Sequence, residues 1–208
     1  GTIAFELLGR RQAADLQELR RALSALGLGV DIALGFNNTY ALAMSEKRAA
    51  ALGVSRISDL AQHAGLKLGL SQEFLHRNDG WRALKKAYGL PHEPRGLDHG
   101  LAYEALAAGQ IDAMDVYSTD AKITRFNVRQ LEDDRGFFPA YDAIVFYRLD
   151  FPQRFPQAWA ALRELEGRIS APRMAAMNAE AEIAGRPFRE VAQAFVVAPS
   201  AAAPPVSA

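Results

Sequence analysis

Ile111-Asp112-Ala113-Met114-Asp115-Val116-Tyr117-Ser118-Thr119-Asp120 follows a helical segment closing on Gly109 and reads as a short buried strand running into a polar loop with an aromatic tip. A tyrosine at a strand end, flanked by hydroxyls and carboxylates, suits the holding of a small charged molecule. Three other segments carry similar tips: Asn37-Asn38-Thr39-Tyr40, His76-Arg77-Asn78-Asp79-Gly80-Trp81 and Phe137-Phe138-Pro139-Ala140-Tyr141. Their combination points to a receptor for a small solute.

Working outward, strands alternate with helices. Strands are predicted at 30–34, 40–44, 66–70, 111–116, 126–131 and 143–147. Helices are predicted at 11–26 (Ala14, Leu16, Leu19, Leu23 and Leu26 on one stripe), 46–52, 58–63 with Ser58 as cap, 80–88, 98–108 with Asp98 as cap, 157–167, 170–183 and 187–196. Gly53, Gly89 and Gly109 mark helix ends. This grammar implies an α/β architecture with mainly parallel strands. Residues 41–141 hold a full set of strands and helices, whereas 1–40 and 142–197 can pair into a second lobe. The chain then crosses between lobes near Tyr40 and Tyr141, where a ligand finds crossing segments and strand ends. Residues 198–208, rich in Ala, Pro and Ser, are expected to be a disordered tail.

The bulk numbers narrow the function. The chain has 208 residues, half of them hydrophobic, with zero formal net charge and no cysteine. Neutrality argues against a nucleic-acid partner, which demands a basic face. No run of eighteen apolar residues offers a membrane span. Gly1 to Phe5 lacks the basic head and long apolar run of a signal peptide. His63, His76, His92 and His99 lack zinc-site helix spacing, and neither a nucleophile elbow nor a phosphate loop is present, so an enzyme is disfavoured. No metal or cofactor is expected.

Six segments together resemble the osmoprotectant (glycine betaine, choline, carnitine) substrate-binding proteins of ABC importers. They are Gly35–Ala43, Ile57-Ser58-Asp59-Leu60, Phe74-x-x-Arg77-x-Asp79-Gly80, Tyr88-Gly89-Leu90, Asp112-x-x-Asp115-x-Tyr117-Ser118-Thr119-Asp120 and Leu131-Glu132-Asp133-Asp134-x-x-Phe137-Phe138-Pro139-x-Tyr141. The resemblance runs from residue 1 to about 197. It implies a two-lobed periplasmic-binding-protein clamp in the periplasm or otherwise outside the cytoplasm, with an ABC permease as partner and a quaternary ammonium compound as ligand. Carried over by position, it implies a cation cage of Tyr40, Tyr117 and Tyr141, a carboxylate clamp at Arg77, a polar contact at Asn38, and Thr2 as the last residue of a Glu-Tyr-Thr-Gly-Thr motif.

Only the Gly-Thr end of that motif is present, so lobe one is expected to be incomplete. An excised fragment is preferred to completion by another chain or to loss of binding. Strands 30–34 and 143–147 are expected to lack neighbours, opening a route to a homodimer. A sensing domain of the same fold, or a fragment that binds nothing, are the alternatives.

The residue types suit the chemistry. A quaternary ammonium has no N–H to donate and is held by contact and by the negative faces of aromatic rings, at roughly 0.5–2 kcal/mol per ring. An arginine fork offers a carboxylate two parallel bonds. Each residue also has a plainer reading. A single strand-end tyrosine is most often core, Arg77 pairs with Asp79 at the surface, and Asn38 shapes a turn. Trp81 and Tyr103 read as packing residues, Asp115 and Asp120 as loop organisers, and Glu132-Asp133-Asp134 as a solvated turn.

Overall fold

A computed structural model of the chain describes residues 1–10 and 15–197. The first part of the helix predicted at 11–26, including Ala14, and the expected tail 198–208 lie outside the described residues.

After a π-helical turn at Ile3–Leu7 come α1 (Leu16–Ser24), β1 (Leu28–Asn37), β2 (Tyr40–Ser45), α2 (Glu46–Leu52) and a 3₁₀ turn at Ile57–Gln62. Next are β3 (Leu68–Ser71), α3 (Gln72–His76), α4 (Trp81–Tyr88), β4 (Arg95–Leu97), α5 (His99–Ala107), β5 (Ala113–Tyr117), α6 (Lys122–Arg125) and β6 (Val128–Gln130). The chain closes with β7 (Asp142–Arg148), α7 (Phe151–Arg154), α8 (Pro156–Arg163), α9 (Ala171–Glu182) and α10 (Phe188–Val197).

Local chemistry sets the helix ends. Asp15 begins α1 with a reciprocal cap: its carboxylate accepts the Glu18 N–H at 2.8 Å, and Glu18 accepts the Asp15 N–H at 3.3 Å. Asp98 caps α5, accepting the Leu101 N–H at 3.1 Å. Gly89 ends α4 at φ 65°, a left-handed conformation that side chains resist. Ser58 does not cap its turn. That role falls to Asp59, whose carboxylate accepts the Ser55 and Arg56 N–H groups, because a carboxylate can take two donors at once.

The larger sheet runs β4-β3-β5-β2-β6 and the smaller pairs β1 with β7. The predicted preponderance of parallel strands does not hold. The β3–β4 and β3–β5 pairings are parallel, but β2–β5, β2–β6 and β1–β7 are antiparallel. β2 and β6 run against β5 and β2 respectively, so the antiparallel pairs lie at one end of the larger sheet and the parallel pairs at the other. Strands 30–34 and 143–147, expected to stand alone, lie in β1 and β7 and pair with each other, Ala33 opposite Ile144.

Side-chain alternation along the larger sheet builds two apolar layers. Leu42 and Met44 pack with Leu70, Phe74, Trp81 and Leu84 on one face, while Ala43, Met114 and Val116 pack with Ala102, Tyr103 and Leu106 on the other. Trp81 and Tyr103 are buried packing residues, as predicted. The chain passes from the smaller sheet to the larger through Asn38-Thr39 and returns through residues 131–141. Among the described residues no helix is long and apolar enough to cross a membrane.

Candidate functional site

Strand register brings the first two tyrosines together. Tyr40 opens β2 and Tyr117 ends β5, and the two are directly opposite in the antiparallel ladder. Opposite residues project from the same face, and the ring centroids are 5.0 Å apart. Tyr141 arrives on the return crossing. Its N–H donates to Asn37 Oδ1 at 3.0 Å and its carbonyl accepts the Asn38 N–H at 3.1 Å. Its ring meets that of Tyr40 edge-on at 5.7 Å. Tyr40 thus meets both other rings and joins the three into one aromatic wall. Tyr40 and Tyr141 are buried within it and Tyr117 is half-exposed.

Arg77 and Asp79 stand behind this wall. Arg77 Nε and Nη2 donate to the two oxygens of Asp79 at 2.8 and 2.9 Å, and the Tyr141 hydroxyl donates to Asp79 as well. The guanidinium carbon lies 5.5 Å from the Tyr40 centroid and 5.9 Å from that of Tyr141. The surface pairing suggested by reading Arg77 alone is therefore present but buried, with side-chain exposures of 7% and 2%. Burial opposes ionisation of Asp79, yet Arg77 and Tyr141 outweigh it and hold the carboxyl below the usual range.

Glu73, on α3, gave no signal in the sequence. It lies next to Phe74 in a helix too short for a periodic pattern, and no motif singled it out. One of its oxygens accepts the Tyr40 hydroxyl and the other the Tyr117 hydroxyl, each at 3.0 Å. Arg77 Nη1 reaches the same carboxylate at 3.4 Å. α3 is held by Ser71, whose hydroxyl accepts the Phe74 N–H at 3.1 Å and donates to buried Asp115 at 2.7 Å. Gly80 lets the Asp79 turn fold back onto α3, since a Cβ there would sit 2.0 Å from the Phe74 carbonyl oxygen.

All three phenols are kept neutral. Burial raises Tyr40, helped by the bond to Tyr117, and raises Tyr141, helped by Asp79. Tyr117 is pushed up to about 12, by burial first and also by the charge of Glu73, against an opposing bond to Tyr40. Neutral phenol rings keep the negative face that attracts a cation.

The loop after Tyr117 is fixed from behind. Asp120 accepts the Tyr117 N–H, the Tyr103 hydroxyl and His99 Nε2 at 3.0, 2.8 and 2.8 Å. Asp120 and Asp115 thus organise structure, as the sequence suggested. His99 lies 4.8 Å from the Tyr117 ring, centroid to centroid. Asp133 is more than part of a solvated turn: it accepts the Tyr88 hydroxyl and the Phe137 and Phe138 N–H groups, shaping the approach to Tyr141.

The remaining predicted residues sit at the margin. Asn38 Oδ1 accepts the Thr119 hydroxyl at 2.7 Å, tying the outgoing crossing to the Tyr117 loop. Thr2 is exposed and lines a cavity of about 420 Å³ that it shares with Tyr141, Leu19, Ile144 and Phe146. Tyr40, Tyr117 and Arg77 do not line that cavity, which lies against the smaller sheet.

Two sheets joined by two crossings, with aromatic side chains gathered at the junction, define a class: the α/β fold of two-lobed, periplasmic-binding-protein-like receptors. A crystal structure of a glycine betaine/carnitine/choline ABC transporter shares the fold, with a TM-score of 0.76 and 29% identity over 94% of this chain and 75% of the other. The chain belongs to the family of substrate-binding domains of ABC-type glycine betaine transport systems, whose model matches residues 12–198. It is 34% identical to an ergothioneine transport permease/ergothioneine binding protein of Helicobacter pylori over 78% of this chain and 30% of that protein. It is 32% identical to the glycine-betaine-binding protein of Pseudomonas aeruginosa over 88% of this chain and 63% of the relative. The chain thus spans less than two thirds of the length of these curated relatives.

Proposed function

We propose that this chain is the ligand-binding module of an ABC importer for quaternary ammonium osmoprotectants, acting outside the cytoplasm with a permease as partner. Residues 1–40 with 142–197 form one lobe and 41–141 the other. The ligand's cation rests on the wall of Tyr40, Tyr117 and Tyr141. A carboxylate tail, where the ligand has one, turns toward Arg77, whose Nε and Nη2 are committed to Asp79 and whose Nη1 it would have to share with Glu73. Asn38 and Thr2 stand at the rim.

The supporting observation is the convergence of three neutral tyrosines, from β2, β5 and the return crossing, on one contiguous surface. Nothing in a single apolar core requires such hydroxyl-bearing rings to meet where the chain changes sheets. The ligands named for the matched relatives fit the same chemistry: glycine betaine, carnitine, choline and ergothioneine all carry a trimethylammonium group.

Calorimetry with choline and glycine betaine on Tyr117 variants tests this. Tyr117→Ala is expected to weaken binding by about tenfold or more, the worth of one well-placed ring. Tyr117→Phe keeps the ring face and is expected to stay within a few-fold of the parent, although it gives up the hydroxyl bond to Glu73. Equal loss in both variants contradicts binding through the ring.

A further inference from the structure

We propose that Glu73 determines specificity at this site, biasing it toward quaternary ammonium compounds with an uncharged, hydroxyl-bearing tail over those ending in a carboxylate. The inference rests on the aromatic-wall reading above and narrows it to a ligand class.

Three observations carry it. The first concerns Arg77, whose guanidinium packs against Tyr40 and Tyr141. Its Nε and Nη2 are both spent on Asp79, so a ligand carboxylate finds no free fork. The second is the position of Glu73. Its carboxylate already occupies the remaining nitrogen, at 3.4 Å from Arg77 Nη1, while joining the hydroxyls of Tyr40 and Tyr117 at 3.0 Å. A carboxylate tail reaching for Nη1 therefore meets a like charge already seated there. The third is exposure. The Glu73 side chain is 58% exposed whereas Arg77 and Asp79 are buried, so the uncompensated charge facing an incoming ligand is the negative one.

The side-chain charges around the wall are mainly negative. Among the side chains, Arg77, Asp79 and Glu73 amount to one cation against two carboxylates, and the Gly1 ammonium, which donates to the Ala140 carbonyl at 2.7 Å, lies near Asp79 and Arg77. Behind Tyr117, His99 faces Asp115 and Asp120, again at most one cation against two carboxylates. An alcohol tail fits this setting better than an acid tail, because its O–H can donate to Glu73 without displacing anything from Arg77.

The test is calorimetry with choline and glycine betaine on the parent protein and on Glu73→Gln, each at low and high salt. The parent is expected to bind choline about tenfold more tightly than glycine betaine, a margin scaled down for the exposure of Glu73. High salt is expected to shrink that margin. Glu73→Gln, which retains an acceptor oxygen for a tyrosyl hydroxyl, is expected to bring the two affinities within about twofold, mainly by tightening glycine betaine. A far-UV circular dichroism spectrum and a cooperative thermal transition matching the parent's report that the variant is folded, and a folded variant that no longer binds choline also overturns the proposal. A parent that binds glycine betaine as tightly as choline overturns the proposal, and so does a preference unchanged in Glu73→Gln. Failure of the parent to bind either compound removes the aromatic-wall reading itself, and the inference falls with it.

Discussion

Arg77 and Asp79 show how much of the site's order depends on a single pair. Two charges, each nearly inaccessible to water, are tolerable because each satisfies the other twice and the Tyr141 hydroxyl fills a further acceptor position. Asp79→Asn leaves the guanidinium buried against two rings with a weakened partner. We expect it to cost about 3–5 kcal/mol of stability, measured by urea denaturation. A cost below about 1 kcal/mol would show the pair to be well solvated. The sequence carried half of this arrangement. Arg77, the three tyrosines and the adjacent Asp79 were all visible as residue types beside strand and helix ends. Glu73 was not, because its role depends on the distance between two strands and a short helix, which no local pattern encodes. Asp133 escaped for a related reason: its partner Tyr88 lies on α4, 45 residues away along the chain.

At the scale of the element, α5 presents two opposing effects on one side chain. His99 lies in its first turn, where the helix dipole and burial both disfavour a positive charge. Burial lowers the imidazole pKa, but Asp115 and Asp120 outweigh it and carry it up to about 9. Asp115 faces Nδ1 at 3.8 Å and Asp120 accepts from Nε2 at 2.8 Å. Since the folded value exceeds the ordinary value of about 6.5, the stabilisation is complete below about pH 6.5 and is lost as pH rises through about 9. Urea denaturation should show stability falling from pH 6 to pH 10, and the fall should be markedly smaller in His99→Gln. An identical fall in both proteins would place the titrating group elsewhere. Elements such as α5 were legible because Asp98 and the glycine beyond its end mark it on both sides. β4 and α3 were not, being too short for periodicity, and strand direction was misjudged because pairing is a long-range property.

For the whole molecule, the proposed function depends on where the chain changes sheets. The antiparallel register of β2 and β5 sets Tyr40 opposite Tyr117, and the return crossing brings in Tyr141. The α/β alternation, the two crossings and the aromatic tips could be read from the sequence. The contact that makes those tips one surface required the register. The proposal that this surface holds a positive charge by its ring faces is tested most sharply by comparing choline with its neutral carbon isostere, in which a quaternary carbon replaces the nitrogen. Shape and apolar area are nearly conserved, so hydrophobic contact alone predicts near-equal affinity. Attraction to neutral tyrosine faces predicts that calorimetry will find choline at least about tenfold tighter. Equal affinity for the two compounds would contradict the account.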